Sequence, residues 1–274
     1  MCITVRSSCG ATLAAMVIRR GVVAAIIVAL CVVFVIMTSV LFAPRFSALG
    51  VAKTTPGATS APAPIGQTAT PTPVLGSAIG STTAVNLLAN LPIKPALTMA
   101  GYDRTGKFGA AWLDEDHNGC DTRDDILARD LSGITKSGSC RLLAGVLVSP
   151  YTGTTIHFVR GVKTSALVQI DHLVALGDAW ETGAQSLTQA RRLLLANDPL
   201  ELMAVDGRSN DQKSDKDASE WLPADTSFDC VYVARQISVK VTYSLWVTQA
   251  EHDAMARVLA TCGPITGTAS ILAG

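Results

Sequence analysis

The chain has 274 residues, with 22 basic and 22 acidic side chains, so its formal net charge is zero. It is 49% hydrophobic and only 16% charged, which excludes a disordered polyelectrolyte. The zero balance points to neither nucleic acid nor membrane as a partner of the whole chain, and the length allows one or two domains with real cores.

These averages conceal unlike segments. Residues 1–43 contain no Asp or Glu, and 1–20, the predicted cytoplasmic N-terminus, carries Arg6, Arg19 and Arg20. The uncharged run Val22 to Ala43 is long enough to cross a bilayer as a helix. Residues 21–43 are therefore predicted as a transmembrane anchor, and the basic excess before it puts the N-terminus in the cytoplasm and the rest outside. A cleaved signal sequence is the competing reading, with small residues near Ala48 to Ala52 open to a peptidase. Residues 44–88 are rich in Pro, Thr, Ser, Ala and Gly and read as an extended linker. Residues 89–263 hold all four Trp, all four Tyr and nearly all the charge, and read as one domain; 264–274 read as a flexible tail. Without the three N-terminal arginines, 19 basic residues face 22 acidic ones, so the predicted exported part is mildly acidic.

Within the domain, Arg141 to Val148 and Thr154 to Arg160 are β-rich runs joined by Ser149-Pro150-Tyr151-Thr152-Gly153, a hairpin signature. Ala166 to His172 reads as a strand, with Ala166, Val168, Ile170 and His172 on one face. Asp178 to Ala196 has helical spacing, and Asn197-Asp198-Pro199 stops it. Leu200 to Val205 reads as a short strand turned by Asp206-Gly207, and Asp211 to Trp221 as a polar helix. Phe228 to Trp246 fits strand by alternation and helix by length. Thr248-x-x-Glu251 is a capping box that opens a helix to Cys262. The fold class expected is α+β, not alternating βαβ.

Four cysteines lie beyond the apolar run: Cys120, Cys140, Cys230 and Cys262. An even number in an oxidising compartment suggests two disulfides. Three pairings are open, and locality favours 120–140 and 230–262. Zinc is disfavoured, because there is no C-x-x-C and the four His are scattered.

The segments 168–176 and 196–216 place Asp171-His172 at a strand end, Asn197 before a second strand, and Asn210 and Lys213 at the start of a helix. Strand, strand, helix with D-H, N and N-x-x-K is the pattern of the HNH, or ββα-metal, nucleases. Asp171-His172-Leu173-Val174 followed by Asn210-Asp211-Gln212-Lys213-Ser214-Asp215 resembles the HNH domain of RNA-guided Cas nucleases. Over roughly residues 100–262 the chain is similar to the HNH-type C-terminal domain of GmrSD-type restriction enzymes, in its exported actinobacterial branch. The features shared with that branch are Tyr102-Asp103-Arg104, Trp112, Asn118 to Arg123, Pro150 to Gly153 and Trp221-Leu222-Pro223. One departure is Ala175, where the family usually has Pro.

Phosphodiester hydrolysis needs a base for water and relief of charge on the phosphate and the leaving oxygen. Neutral His172 is the candidate base. Asp171 and Asn210 offer hard oxygens to one divalent cation, Mg²⁺ or Mn²⁺. The resemblance implies that Asn197 braces the catalytic loop or orients the imidazole; Lys213, Arg123 and Arg208 are candidates for phosphate. Each residue has a plainer reading: a packed histidine, an N-cap asparagine, a turn, a solvated lysine. Their joint order is what favours the nuclease. A local basic cleft from Arg123, Arg160, Arg191, Arg192, Arg208 and Lys213 is expected to offset the acidic surface. Separately, Asp114, Asp116, Asn118 and Asp125 fit the opening and end of a calcium loop.

The sequence thus predicts a membrane-tethered or secreted HNH endonuclease, with DNA favoured over RNA and no obligate protein partner. The alternative is a non-catalytic calcium-binding module of the cell envelope.

Overall fold

Two small antiparallel sheets and eight α-helices make up residues 79–273, the residues described by this computed structural model. The predicted anchor at 21–43 and most of the linker lie outside the described residues. Among the described residues no helix is long and apolar enough to cross a membrane.

In chain order the helices are α1 (Ala84–Asn90), α2 (Arg104–Phe108), α3 (Thr122–Asp130), α4 (Leu176–Glu181), α5 (Gln189–Asn197), α6 (Gly207–Lys213), α7 (Asp229–Thr242) and α8 (Gln249–Leu259). Strands β1 (Ser132–Ser137), β2 (Arg141–Val148) and β3 (Thr155–Val159) form one sheet in that order. The predicted hairpin is β2–β3, with Val148 opposite Thr155. β1 escaped the sequence reading because all six of its residues are exposed, so it leaves no burial pattern. The second sheet pairs β4 (Val168–His172) with β5 (Leu202–Asp206).

The β4–β5 ladder is covered on both faces, so it carries no polar-apolar alternation. Val168, Ile170, Leu202 and Ala204 pack against Ile126 and Leu127 of α3 and against Leu142, Leu147 and Phe158 of the three-stranded sheet. Met203 and Val205 join a separate core with Tyr232, Val233 and Ile237 of α7 and Met255 of α8. A third cluster packs Trp180, Leu195 and Phe108 against Val239 and Tyr243.

Caps set the helix starts. Asp121 Oδ1 accepts from Asp124 N, Thr188 Oγ1 from Arg191 N, Asp206 Oδ1 from Ser209 N and Thr248 Oγ1 from Glu251 N. Only half of the capping box at Thr248 forms, because the Glu251 carboxylate turns inward to Lys240, 2.8 Å away. Lys240 also lies 3.1 Å from Asp178, so one buried ammonium ties α4, α7 and α8 together.

Two readings of the sequence are corrected, and one that was left open is decided. The helix expected over 178–196 is two, α4 and α5, because Gly183 takes φ +133° where a Cβ would stand 3.1 Å from the Trp246 ring. The polar helix expected over 211–221 is α6, which begins at Gly207 and stops where Ser214 turns to φ +53°. The ambiguous stretch 228–246 is helix α7, its 14 residues long enough to line two cores at once. Packing continues on both sides of the expected limits of 89 and 263. Leu87 and Leu88 of α1 pack into the core, and the predicted flexible tail is anchored by Ala273 and by Ser270, which donates to Asp198 at 2.5 Å.

Disulfides join Cys120 to Cys140 and Cys230 to Cys262, the pairing that locality favours. They close loops with sequence separations of 20 and 32 residues, and each should stabilise the fold by about 3 kcal/mol. Replacing Cys230 and Cys262 together by Ser should lower the urea midpoint by the equivalent of about 3 kcal/mol. An unchanged midpoint in oxidised protein would show that this bridge carries no stability.

Candidate active site

β4 and β5 run antiparallel, with Val168 opposite Asp206 and His172 opposite Leu202, and α6 leaves β5 without a loop. Asp206 ends the strand and caps the helix. Gly207 lets α6 start against the turn at Ser165–Leu167 that leads into β4, since a Cβ there would stand 2.2 Å from the Ala166 carbonyl oxygen. The end of β4 and the side of α6 open onto a polar cavity of about 390 Å³ lined by Arg104, Asp171, His172, Asn210, Asp211 and Asp215 among others.

His172 is buried, and its Nε2 lies 2.9 Å from the carbonyl oxygen of Ala196. A carbonyl only accepts, so Nε2 carries the proton and donates it. Nδ1 is then the nitrogen with the lone pair, and Arg104 Nη2 faces it at 3.5 Å. Burial first, and the Arg104 charge second, push the imidazole pKa down to about 3. The ring is therefore neutral across the physiological range.

Asp171 points the other way from β4. Its Oδ1 accepts from Lys213 Nζ at 3.0 Å and its Oδ2 from the Tyr151 hydroxyl at 2.5 Å. Lys213 also donates to the His172 carbonyl at 2.7 Å and is completely buried. Its ammonium thus holds the Asp171–His172 pair from behind and faces no accessible phosphate, contrary to the expectation from the sequence. Asn210 is half-buried on α6, lines the cavity and donates from its amide nitrogen to Gln169 Oε1 at 2.7 Å.

Asn197 is buried at the end of α5. Its Oδ1 accepts from Leu113 N at 3.2 Å and its Nδ2 donates to Leu193 O at 3.0 Å. It braces the loop at Trp112, which takes φ +63°, while the preceding residue, Ala196, supplies the carbonyl that orients His172.

The remaining candidates lie elsewhere. Arg123 donates to Val168 O at 3.1 Å, at the far end of β4. Arg208 is exposed and lines a separate groove with Ile156 and Leu167. The foreseen basic cleft does not form, because its other members are engaged within the fold. Arg160 bonds Leu142 O and pairs with Asp124, Arg191 bonds Thr242 O, and Arg192 bonds Lys107 O.

The 114–125 loop is a turn closed on itself. Asp114 accepts from Asn118 N and Gly119 N, Asp116 from Asn118 N and Nδ2, and Asn118 Oδ1 from Cys120 N. Asp125 stands on α3, its pKa raised by partial burial and then by neighbouring carboxylates. Among the described residues no group of three or more His, Cys, Asp or Glu side chains is arranged to hold a metal ion.

Two residues at the site had no assigned role in the sequence: Arg104, seen there only as part of a shared motif, and Tyr151, seen only as part of a turn and a shared motif. Their signal is weak because both reach the site from other segments, 68 residues before His172 and 20 residues before Asp171.

Comparison with known proteins bears on this geometry. The family model described as "GmrSD restriction endonucleases, C-terminal domain" matches residues 121–258. An uncharacterized secreted protein of Arthroderma benhamiae is 36% identical over 197 residues, covering 71% of this chain and 92% of the relative. No solved structure matches.

Two outcomes test the site. The folded pKa of His172, about 3, lies below the ordinary 6.5, so its contribution to stability is complete above pH 6.5 and is lost as pH falls toward 3. NMR of labelled histidine should find His172 neutral at pH 5, while a midpoint near 6.5 would contradict the buried, Arg104-facing ring. Tyr151→Phe removes a donor from a buried carboxylate and should cost about 1–3 kcal/mol in denaturant unfolding, with a cost below about 0.5 kcal/mol counting against the bond.

Proposed function

Because the chain belongs to the family of the C-terminal domain of GmrSD restriction endonucleases, we propose that it is an exported, metal-dependent HNH (ββα-metal) endonuclease that hydrolyses phosphodiester bonds in DNA. One observation supports the reading: Asp171, His172 and Asn210 line one polar cavity, on strand, strand and helix in succession, and the hydrogen bond from His172 Nε2 to the Ala196 carbonyl leaves Nδ1 without the proton.

The donor set fits a hard divalent cation. Asp171 and Asn210 would hold Mg²⁺ or Mn²⁺ through two oxygens, leaving the other positions to water and phosphate, as Mg²⁺ prefers. When bound, the ion would supply charge relief on the phosphate and on the leaving oxygen. The chain's own residues do the rest. His172 Nδ1 takes a proton from water, whose oxygen attacks phosphorus. One P–O ester bond breaks, and the departing oxygen takes a proton from solvent. Nε2 stays on the Ala196 carbonyl throughout, so the ring gains its proton without turning. Tyr151 and Lys213 hold the Asp171 carboxylate in position through one hydrogen bond to each oxygen.

Export is supported by the two disulfides and by the secreted relative. The uncharged run at 21–43 supports tethering at the outer face of the membrane, or secretion if it is cleaved. A calcium-binding envelope module has less support, since the carboxylates of Asp114 and Asp116 accept from the loop's own N–H groups.

The test is plasmid nicking by the full chain with Mg²⁺, Mn²⁺ or EDTA. Wild type should nick with either ion and stop in EDTA. His172→Ala should lose on the order of 10²-fold or more in rate and stay folded by circular dichroism. Failure of wild type to cut DNA or RNA with any divalent ion overturns the reading.

A further inference from the structure

Arg104 is exposed, yet its guanidinium sits over a buried histidine. It makes no ion pair among the described residues, and its one hydrogen bond is to His172 Nδ1, at a long 3.5 Å. Among the described residues it is also the only cationic side chain lining the cavity, which Asp171, Asp211 and Asp215 line as well. Every other base of the expected cleft is engaged elsewhere or points away, and Lys213 is sealed behind Asp171. Arg104 precedes the residues matched by the family model, and the shared Tyr102-Asp103-Arg104 motif came with no role for it.

A neutral imidazole nitrogen at 3.5 Å is a weak acceptor for a guanidinium. A phosphodiester oxygen is a strong one, since the bond is charge-assisted and the planar fork can grip two oxygens. The same nitrogen must be free to take a proton from water. The two demands are met together if the arriving phosphate draws Arg104 away from the ring.

We propose that Arg104 is the phosphate-binding residue of this site and caps the His172 base until a phosphodiester takes its place as the guanidinium's partner. The inference rests on the nuclease reading and adds to it a residue and a gate. Without substrate the base is covered by a cation that repels any incoming proton. With substrate the cation moves onto the anion it must bind, and the base is exposed only where there is a bond to cut. Arg104 therefore contributes to binding more than to the chemical step.

The experiment compares wild type, Arg104→Ala, Arg104→Lys and the exposed control Arg257→Ala, all as full chains. Nicking in Mg²⁺ gives kcat and KM; anisotropy of a fluorescein-labelled DNA duplex in EDTA gives metal-free affinity. Arg104→Ala should raise KM about 10–100-fold and weaken duplex binding by at least about 10-fold, with kcat within about threefold of wild type. Arg104→Lys keeps the charge but loses the fork, so its KM should fall between the two. Arg257→Ala should behave as wild type. Arg104→Ala with unchanged KM, with unchanged duplex affinity (including no binding by either protein), or with a loss confined to kcat overturns the proposal. If wild type cuts and Arg104→Ala matches it, only the role of Arg104 fails; if wild type does not cut, the nuclease reading fails first.

Discussion

The ammonium of Lys213 holds the site in place. It is fully buried, 3.0 Å from Asp171 Oδ1 and 2.7 Å from the His172 carbonyl. A buried charge without a partner costs several kcal/mol, so Lys213 and Asp171 each require the other in position. The pair binds the last turn of α6 to the end of β4, and the Tyr151 hydroxyl adds the β2–β3 turn on the second carboxylate oxygen. Three segments far apart in sequence thus meet at one carboxylate. The orientation of His172 follows, because its backbone is fixed from one side by Lys213 and its ring from the other by the Ala196 carbonyl.

That arrangement resolves an awkwardness in the sequence. Neighbouring strand residues point to opposite faces, yet Asp171 and His172 both line one cavity. They reach it because β4 ends there. Asp171 faces the core of α7 and α8, where Tyr151 packs edge-on to Tyr232 and Trp221, and His172 faces α5. The cavity sits at the strand terminus, where both faces are open to the same space.

How much of this was legible follows from how each signal is written. The hairpin was, because Ser149 to Gly153 separates two β-rich runs. The disulfides were, because each joins cysteines close in sequence. Asp171, His172 and Asn210 were singled out by their order as candidates, and all three line one cavity. Lys213 was located but misjudged, since a lysine near a helix end reads as solvated and nothing local reveals that its partner is 42 residues away. The break at Gly183 was hidden because helical spacing continues across it, and the cause, the Trp246 ring, arrives from beyond α7. The basic cleft failed for a related reason. Arginines counted in sequence appear free, but Arg160, Arg191 and Arg192 bond the carbonyls of Leu142, Thr242 and Lys107.

The zero net charge of the whole chain hides a division of labour among cations. The basic excess lies before the predicted anchor, and the part beyond is mildly acidic. Inside the folded part most arginines near the site satisfy backbone carbonyls, and both fully buried lysines, Lys213 and Lys240, satisfy buried carboxylates. Such a protein has no broad field with which to hold a polyanion. Affinity for a phosphodiester must then come from charges that remain unpaired at the cavity itself, and among its lining residues Arg104 is the one that qualifies. A divalent ion on Asp171 and Asn210 would be the second. On the proposed nuclease reading, one cation beside one base in a mildly acidic domain would make recognition local, with nucleic acid held only where its phosphate sits against His172.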